Sequence, residues 1–309
     1  MKFRQLECLC EVVSSGYNLS HAAHNLCASQ PTVTRQLQLL EEDLGFEILA
    51  RRGNRIGGLT QQGHAVYERA QKIVHESRQL QRLSDELHNN GSGKLVIATT
   101  HFHARYTLLD AIKKLRASHP KISFSILSGN MDAIERAVTS GHADIGICVG
   151  RDDIHPALVS LPCFEIHRII IVPPGHPLLR VRKPSLERLA QYPIITYDQD
   201  VSAGWRIAEA FSAHKLSPEI VLSAAGAEVI KAYTAAGLGI AVIQELAFDK
   251  RKDSGIRAIS ADHLFEPVTV VAMIRRRTFL TSYMRDLLKV IACVENDSEI
   301  EAAFHDTRA

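Results

Sequence analysis

Residues 19–45 read LSHAAHNLCASQPTVTRQLQLLEEDLG, and the punctuation of this stretch sets the architecture of the segment around it. Ser29 has the character of a helix N-cap, because a short hydroxyl side chain accepts from the free N–H groups of a first turn. Pro31 suits that turn, where its missing N–H costs nothing. Val33, Leu37, Leu40 and Leu44 then recur at helical spacing until Gly45 ends the run. Upstream, the pattern predicts a shorter helix with Ser20 as its N-cap and Ala22, Ala23 and Leu26 inward, the paired alanines letting a neighbouring helix approach closely. Earlier still, Phe3, Leu6, Cys10 and Val13 share one face of a first helix that Gly16 can stop. Three short helices in this order describe a helix-turn-helix unit.

On the third helix, Gln30, Thr32, Thr34 and Arg35 are the outward residues near the start, all able to hydrogen-bond to base edges or phosphates. Behind it, RRGNRIGG at 51–58 supplies Arg51, Arg52 and Arg55 on a glycine-containing hairpin, a wing suited to phosphate contacts. The acids Glu41, Glu42, Asp43 and Glu47 lie between these basic groups and are expected to point away from DNA. On spacing alone, a small helical bundle with a solvated arginine loop competes with this reading. The order of residues 19–51, together with LTQQGH at 59–64, closely resembles the signature of LysR-type transcriptional regulators: an alanine pair, Ser-Gln-Pro, Leu-Glu, Leu-Gly, and Leu-Thr then Gly. That resemblance implies a winged helix-turn-helix DNA-binding domain over 1–59, with the helix that opens at Ser29, Gln30 and Pro31 entering the major groove.

The bulk properties neither demand nor exclude this. A chain of 309 residues, 46% hydrophobic and 23% charged, is ordinary for a soluble protein of two or three units. The net charge is only +2, so contact with promoter DNA must come from local placement of Lys and Arg. No apolar run approaches the roughly 20 residues of a membrane helix, and MKFRQLECLC lacks the apolar stretch of a secretory signal, so no membrane partner is expected and the expected location is cytoplasmic. The six cysteines, Cys8, Cys10, Cys27, Cys148, Cys163 and Cys293, show no C-x-x-C pair or zinc spacing and read as buried, reduced thiols. Neither a metal nor a cofactor is expected.

After Thr60, a proline-free helical stretch runs over 60–90. Val66, Ala70, Ile73, Ser77, Leu80, Ser84 and Leu87 are spaced 4, 3, 4, 3, 4, 3, a heptad seam with two polar interruptions along which two copies can pair. Its length is about 45 Å at 1.5 Å per residue. HNNGSG at 88–93 then separates it from the carboxyl-terminal two thirds of the chain. Packing of the stripe on its own protein is the alternative; the family resemblance implies a linker helix for dimerisation, and a dimer or tetramer overall.

From residue 93 to 309, short apolar runs alternate with helical stretches: KLVIAT, a helix over 103–117, ISFSIL, a helix over 130–140, and ADIGICV. A second set succeeds it, with RIIIVP, a helix over 185–190, PIITYD, a helix over 203–213, EIVLS, a helix over 226–236 and GIAVIQ. PVTVVAMI and a helix over 281–290 are expected to return to the first set. The fold class expected is therefore α/β behind an all-α winged head: lobe I over about 93–163 plus 267–292 and lobe II over about 164–266, with the ligand where helix amino termini face the cleft. This region looks like the effector domain of LysR-type regulators, which is related to periplasmic solute-binding proteins. More narrowly, IATTHFHARY at 97–106, LPCFEIHR, LAQYPIITY, EVIKAYTAAGLGIAVI and RRTFLTSYMRDLL resemble the CysB-like branch, regulators of sulfur assimilation.

Sulfate sensors of that branch use uncharged donors, and this chain keeps only part of the set. Where the branch reads Thr-Thr-His-Thr-Gln, this chain has Thr99, Thr100, His101, Phe102 and His103; the second-lobe threonine is Ser202, the threonine after the third strand is Val149 and a nearby tryptophan is Ile166. A buried oxygen without a partner costs about 1–3 kcal/mol, so three lost donors rival the roughly 8 kcal/mol of a micromolar complex. The expectation is an anionic head held by Thr100, Ser202 and a His103 that can add a proton near neutral pH, with a small organic body, such as a sulfonate, in place of plain sulfate. Phe102 turned into the core and His101 capping its own helix are the structural alternatives, and His101-x-His103 lacks a third metal ligand at helpful spacing. A regulator of an unrelated pathway is the runner-up. An α/β enzyme using His101, His103 or Cys148 is disfavoured because no G-x-S-x-G, P-loop or G-x-G-x-x-G is present. A solute-binding transport protein fits the lobes but not the first 90 residues.

Overall fold

The computed structural model describes residues 1–53, 55–88, 93–198, 202–294 and 296–300. The chain divides into two compact units, Met1–Asn90 and Gly91–Ala309.

The first unit holds helices α1 (Phe3–Ser14), α2 (Leu19–Asn25) and α3 (Gln30–Leu44), the hairpin β1 (Leu49–Arg52) and β2 (Arg55–Leu59), and helix α4 (Gln61–Leu87). Leu6, Leu9, Ala22, Ala23, Val33, Leu37 and Leu40 are buried in one core. Two details depart from expectation. Phe3 is exposed, and α2 is capped by Asn18, whose side chain accepts from His21 N (3.0 Å); an Asx oxygen two residues earlier fills the cap. The Ser20 hydroxyl instead donates to Gln30 Oε1 (3.0 Å), joining α2 to the start of α3. Gly45 closes α3 at φ +78°, a left-handed conformation that glycine adopts without a Cβ penalty.

Helix α4 does not present one continuous seam. Its first turns pack on the core through buried Ala70 and Val74 and half-buried Val66, whereas Ile73, Leu80 and Leu87 are 45, 68 and 74% exposed. The expected stripe thus splits at Ile73: intramolecular packing takes its first two positions, and a seven-residue apolar repeat stays open.

The second unit contains two five-stranded sheets. Lobe I has the order β4-β3-β5-β12-β6, formed by β3 (Gly93–Thr99), β4 (Ile122–Ser128), β5 (Ile145–Val149), β6 (Leu158–Ile166) and β12 (Val268–Arg275). Strand β3 runs parallel to β4 and β5, and β12 antiparallel to β5 and β6. Lobe II has the order β11-β7-β10-β8-β9, formed by β7 (Arg168–Val172), β8 (Ile194–Tyr197), β9 (Ile220–Ala224), β10 (Ile240–Gln244) and β11 (Arg257–Ser260). Helices α5 (His101–Tyr106), α6 (Leu108–Ser118), α7 (Met131–Ser140) and α11 (Ser282–Ala292) belong to lobe I; α8 (Leu186–Leu189), α9 (Ser202–Ala213) and α10 (Ala227–Ala235) belong to lobe II.

Strand β6 has no counterpart among the expected elements, and it contains Pro162, a residue disfavoured in a strand interior. It is tolerated on a sheet edge, beside a register shift that leaves Cys163 between the pairs Val270–Phe164 and Val271–Pro162. The strand carries lobe I through Ile166, so only His167 separates it from Arg168, the first residue of β7. The single helix expected over 103–117 is two, broken at Thr107. Cys27 and Cys293 are exposed, in contrast to buried Cys8, Cys10 and Cys148.

Candidate functional site

The residues of the first unit expected to face DNA are joined by short local hydrogen bonds. The Ser29 side chain accepts from Thr32 N (3.3 Å) and meets the Thr32 hydroxyl at 2.8 Å. Gln30, Pro31, Thr32 and Arg35 are exposed and Thr34 is half-buried. The acids do not all point away: Glu42 pairs with Arg35 (3.1 Å) and Glu41 with Arg51 (3.2 Å). Glu41 Oε1 also accepts from Ile48 N (2.9 Å) and Leu49 N (3.0 Å), which fixes the root of the wing against α3. The Arg35–Glu42 pair is exposed on both sides and is worth under about 1 kcal/mol, whereas Glu41 is largely covered. Arg52 and Arg55 pair through their backbones in the hairpin; their side chains lie outside the described residues.

In the second unit, a cleft of about 830 Å³ opens between the lobes, lined from lobe I by Thr100, His101, Phe102, His103, Val149 and Ile166. These six expected effector residues therefore come together. Thr99 does not: it is fully buried and its hydroxyl donates to Ile147 O (2.7 Å), tying β3 to β5. The side chain of Ser202 lies outside the described residues. Thr100 caps α5, its hydroxyl accepting from His103 N (3.3 Å), so His101 has no capping role. Phe102 packs against the cores of both lobes.

His103 overturns the expectation of a chargeable group. It is 2% exposed, its Nδ1 lies 3.1 Å from the Thr107 hydroxyl and its ring meets Phe164 edge-on. Burial pushes its pKa down to about 4, so the ring is neutral at physiological pH. Because the folded value lies below the unfolded one of about 6.5, the unfolded chain binds more protons between the two. Stability is therefore retained above pH 6.5 and lost as pH falls toward 4. We expect wild type to lose about 2 kcal/mol more than His103→Gln between pH 7.5 and 5 in urea titrations; parallel losses would contradict a buried neutral imidazole.

The remaining walls were not legible beforehand. Arg105 Nε (3.0 Å) and the Tyr106 hydroxyl (2.5 Å) both donate to Glu228 Oε1 on α10, a clasp from lobe I to lobe II. Burial raises the Glu228 pKa, but the Tyr106 hydrogen bond and the charges of Lys231 and Arg105 outweigh it and hold the carboxyl below its ordinary value. Arg151 is held by Asp132 (3.0 Å) and Glu135 (3.3 Å). Arg168 lines the cleft at 5% exposure; burial, then the charge of Arg206, lowers its pKa. The signal for it in the sequence was a cation opening the otherwise apolar strand RIIIV. Among the described residues no group of three or more His, Cys, Asp or Glu is placed to hold a metal, and no helix is long and apolar enough to cross a membrane.

Comparison with known proteins bears on both units. The family of bacterial regulatory helix-turn-helix proteins of the lysR family matches residues 3–64, and the LysR substrate binding domain matches residues 88–294. The chain is 37% identical to the HTH-type transcriptional regulator SsuR of Burkholderia cenocepacia over 97% of both chains. It is 36% identical to the HTH-type transcriptional regulator CysB of the same organism, over 98% of this chain and 97% of that one. The solved cofactor-binding domain of the Cbl transcriptional regulator matches with a TM-score of 0.63 and 34% identity, over 70% of this chain and 95% of that domain.

Proposed function

The chain belongs to the LysR family of helix-turn-helix transcriptional regulators, DNA-binding proteins and not enzymes, and from that premise we propose that it controls genes of sulfur or organosulfur metabolism in response to a small organic anion other than plain sulfate. The observation that carries this reading is the composition of the inter-lobe cleft. Its volume of about 830 Å³ falls in the range of roughly 300–1,000 Å³ typical of organic ligands. Phe102, Val149, Ile166 and Val268 give it apolar walls, where a fully desolvated tetrahedral ion needs donors. Resemblance to the CysB-like branch supports the sulfur assignment.

In this reading the protein works in the cytoplasm on promoter DNA. Copies pair along α4 through Ile73, Leu80 and Leu87, and a dimer of dimers forms through the second unit. A ligand that favours one arrangement of the lobes over another shifts the assembly and with it the bend or spacing of the DNA. Ser29, Gln30, Thr32, Thr34 and Arg35 read the groove, and the wing arginines contact phosphates.

Two substitutions test the DNA side. Arg51→Ala is expected to weaken binding about equally on all sequences and to lower the salt slope by about 1, as a phosphate contact does. Arg35→Ala is expected to cost about 1–3 kcal/mol on the operator and less on unrelated DNA. Titrations by fluorescence anisotropy at two salt concentrations measure both; unchanged affinity and slope in both variants would contradict the interface. On the ligand side, a thermal-shift panel of sulfate, thiosulfate, sulfonates, adenosine phosphosulfate and carboxylates is expected to single out an organic anion, since a ligand at 100 times its Kd adds about 2.7 kcal/mol of stability.

A further inference from the structure

We propose that the acidic group of the ligand is taken by Arg168 on the lobe II wall, with the Gln244 amide beside it, so that the ligand is an organic oxyacid presenting at least two oxygens to a guanidinium. This rests on the reading of the cleft as the effector site, and it moves the charge-recognising group away from the Thr100–His103 turn.

Arg168 is the first residue of β7, directly after the crossover from lobe I, and pairs in the antiparallel ladder with Gln244 of β10. It is only 5% exposed, yet no carboxylate lies within ion-pair distance of it among the described residues. Its guanidinium has a single long hydrogen bond, from Nη1 to Glu266 O at 3.4 Å, and lies 5.7 Å from the Phe265 ring centroid. A buried cation without a counter-ion is costly and is retained where something else completes it. The other cationic side chains of the cleft differ: Arg105 and Arg151 are engaged by carboxylates, and Arg206 is exposed.

The surroundings of Arg168 suit an anion. The Tyr197 hydroxyl donates to Gln244 Oε1 (2.5 Å), which occupies the amide oxygen and leaves the amide N–H groups as donors. Gly226 provides no side-chain cap for α10, so the first-turn N–H groups of Ala227 and Glu228 stand at the cleft wall. A guanidinium fork matches two oxygens of a carboxylate or sulfonate in one plane. The body of the ligand then lies against Phe102, Ile166 and Val268.

The test uses the full-length chain with hexanesulfonate, hexanoate, hexanol and inorganic sulfate as probes, read by thermal shift and calorimetry. Wild type is expected to bind at least one hexyl acid and not hexanol. Ligand-free Arg168→Met is expected to melt at or above wild type, because an uncompensated buried charge has been removed, and to bind that acid about tenfold to a hundredfold more weakly. Arg168→Lys, which keeps the charge but loses the fork, is expected to fall between them. An unchanged acid affinity in Arg168→Met would overturn the role of Arg168 while leaving the cleft reading intact. A ligand-free Arg168→Met melting well below wild type would identify a structural residue and also overturn it. Binding of neither acid would overturn the proposal; a thermal shift by sulfate alone would then show that the cleft still takes an anion, by other groups.

Discussion

Gly63→Ala is expected to destabilise the first unit by about 3 kcal/mol or more, lowering its melting temperature and weakening DNA binding. A Cβ at this position would stand 2.1 Å from the backbone oxygen of Ile48 and 3.0 Å from its carbonyl carbon. That oxygen accepts from Thr60 N (2.8 Å), while the Thr60 hydroxyl donates to Glu47 O (2.8 Å) and accepts from Gly63 N (2.9 Å). The carbonyl cannot retreat without releasing the joint between the wing and α4. Overpacking in a core costs about 1–3 kcal/mol, and a clash with backbone stands at or above the top of that range, a large part of the roughly 5–15 kcal/mol of a domain. Circular dichroism melts and operator binding are the readouts. Wild-type melting in Gly63→Ala would show that the helix start is not held as tightly as the distances state.

Asp253→Ala is expected to destabilise the second unit by about 3–5 kcal/mol, the usual cost of stranding a buried charge. Lys231 Nζ has a side chain only 9% exposed and is held by both Asp253 oxygens (3.1 Å each), by Ala247 O (2.8 Å) and at 3.4 Å by Glu228. Asp253 also accepts from Asp249 N (2.8 Å). Lys231→Met together with Asp253→Ala should recover much of the loss, since an apolar pair of similar volume has no charge to solvate. Urea titration of the three variants measures the cycle; a loss below about 1 kcal/mol in Asp253→Ala would place the pair in an effectively solvated site. Because Glu228 also receives Arg105 and Tyr106 across the cleft, loosening this network should weaken ligand binding as well.

The parts of the fold read from sequence are those where one residue type has one local use. Ser29, Pro31 and Gly45 mark the ends of α3 because capping and left-handed backbone select them. Strand β11 was missed because it is a short edge strand of mostly exposed residues, RAIS, with no apolar alternation. The seam of α4 was drawn one stripe too long because periodicity does not say which turns a neighbouring helix will cover.

The sequence pointed to residues that line the cleft, but not to how each of them is buried. The turn from Thr99 to His103 announces a helix start after a strand, but the pattern does not say which of its side chains are buried. Only tertiary packing separates them, placing Thr99 on the Ile147 carbonyl and closing Phe164 over His103. Arg168 is not flagged by the pattern because a cation at a strand end is ordinarily solvated; here the segment after β11 covers it, with the Phe265 ring and the Glu266 carbonyl against the guanidinium.

The most direct measurement is the anisotropy of a fluorescent DNA from the region upstream of the gene, titrated with full-length protein in the presence of sulfate or of an organic sulfonate found in the thermal-shift panel. A specific, salt-dependent complex is expected, with an affinity or DNA bend that changes with the sulfonate and not with sulfate. A complex indifferent to every anion of the panel, or one that responds to sulfate alone, would contradict it.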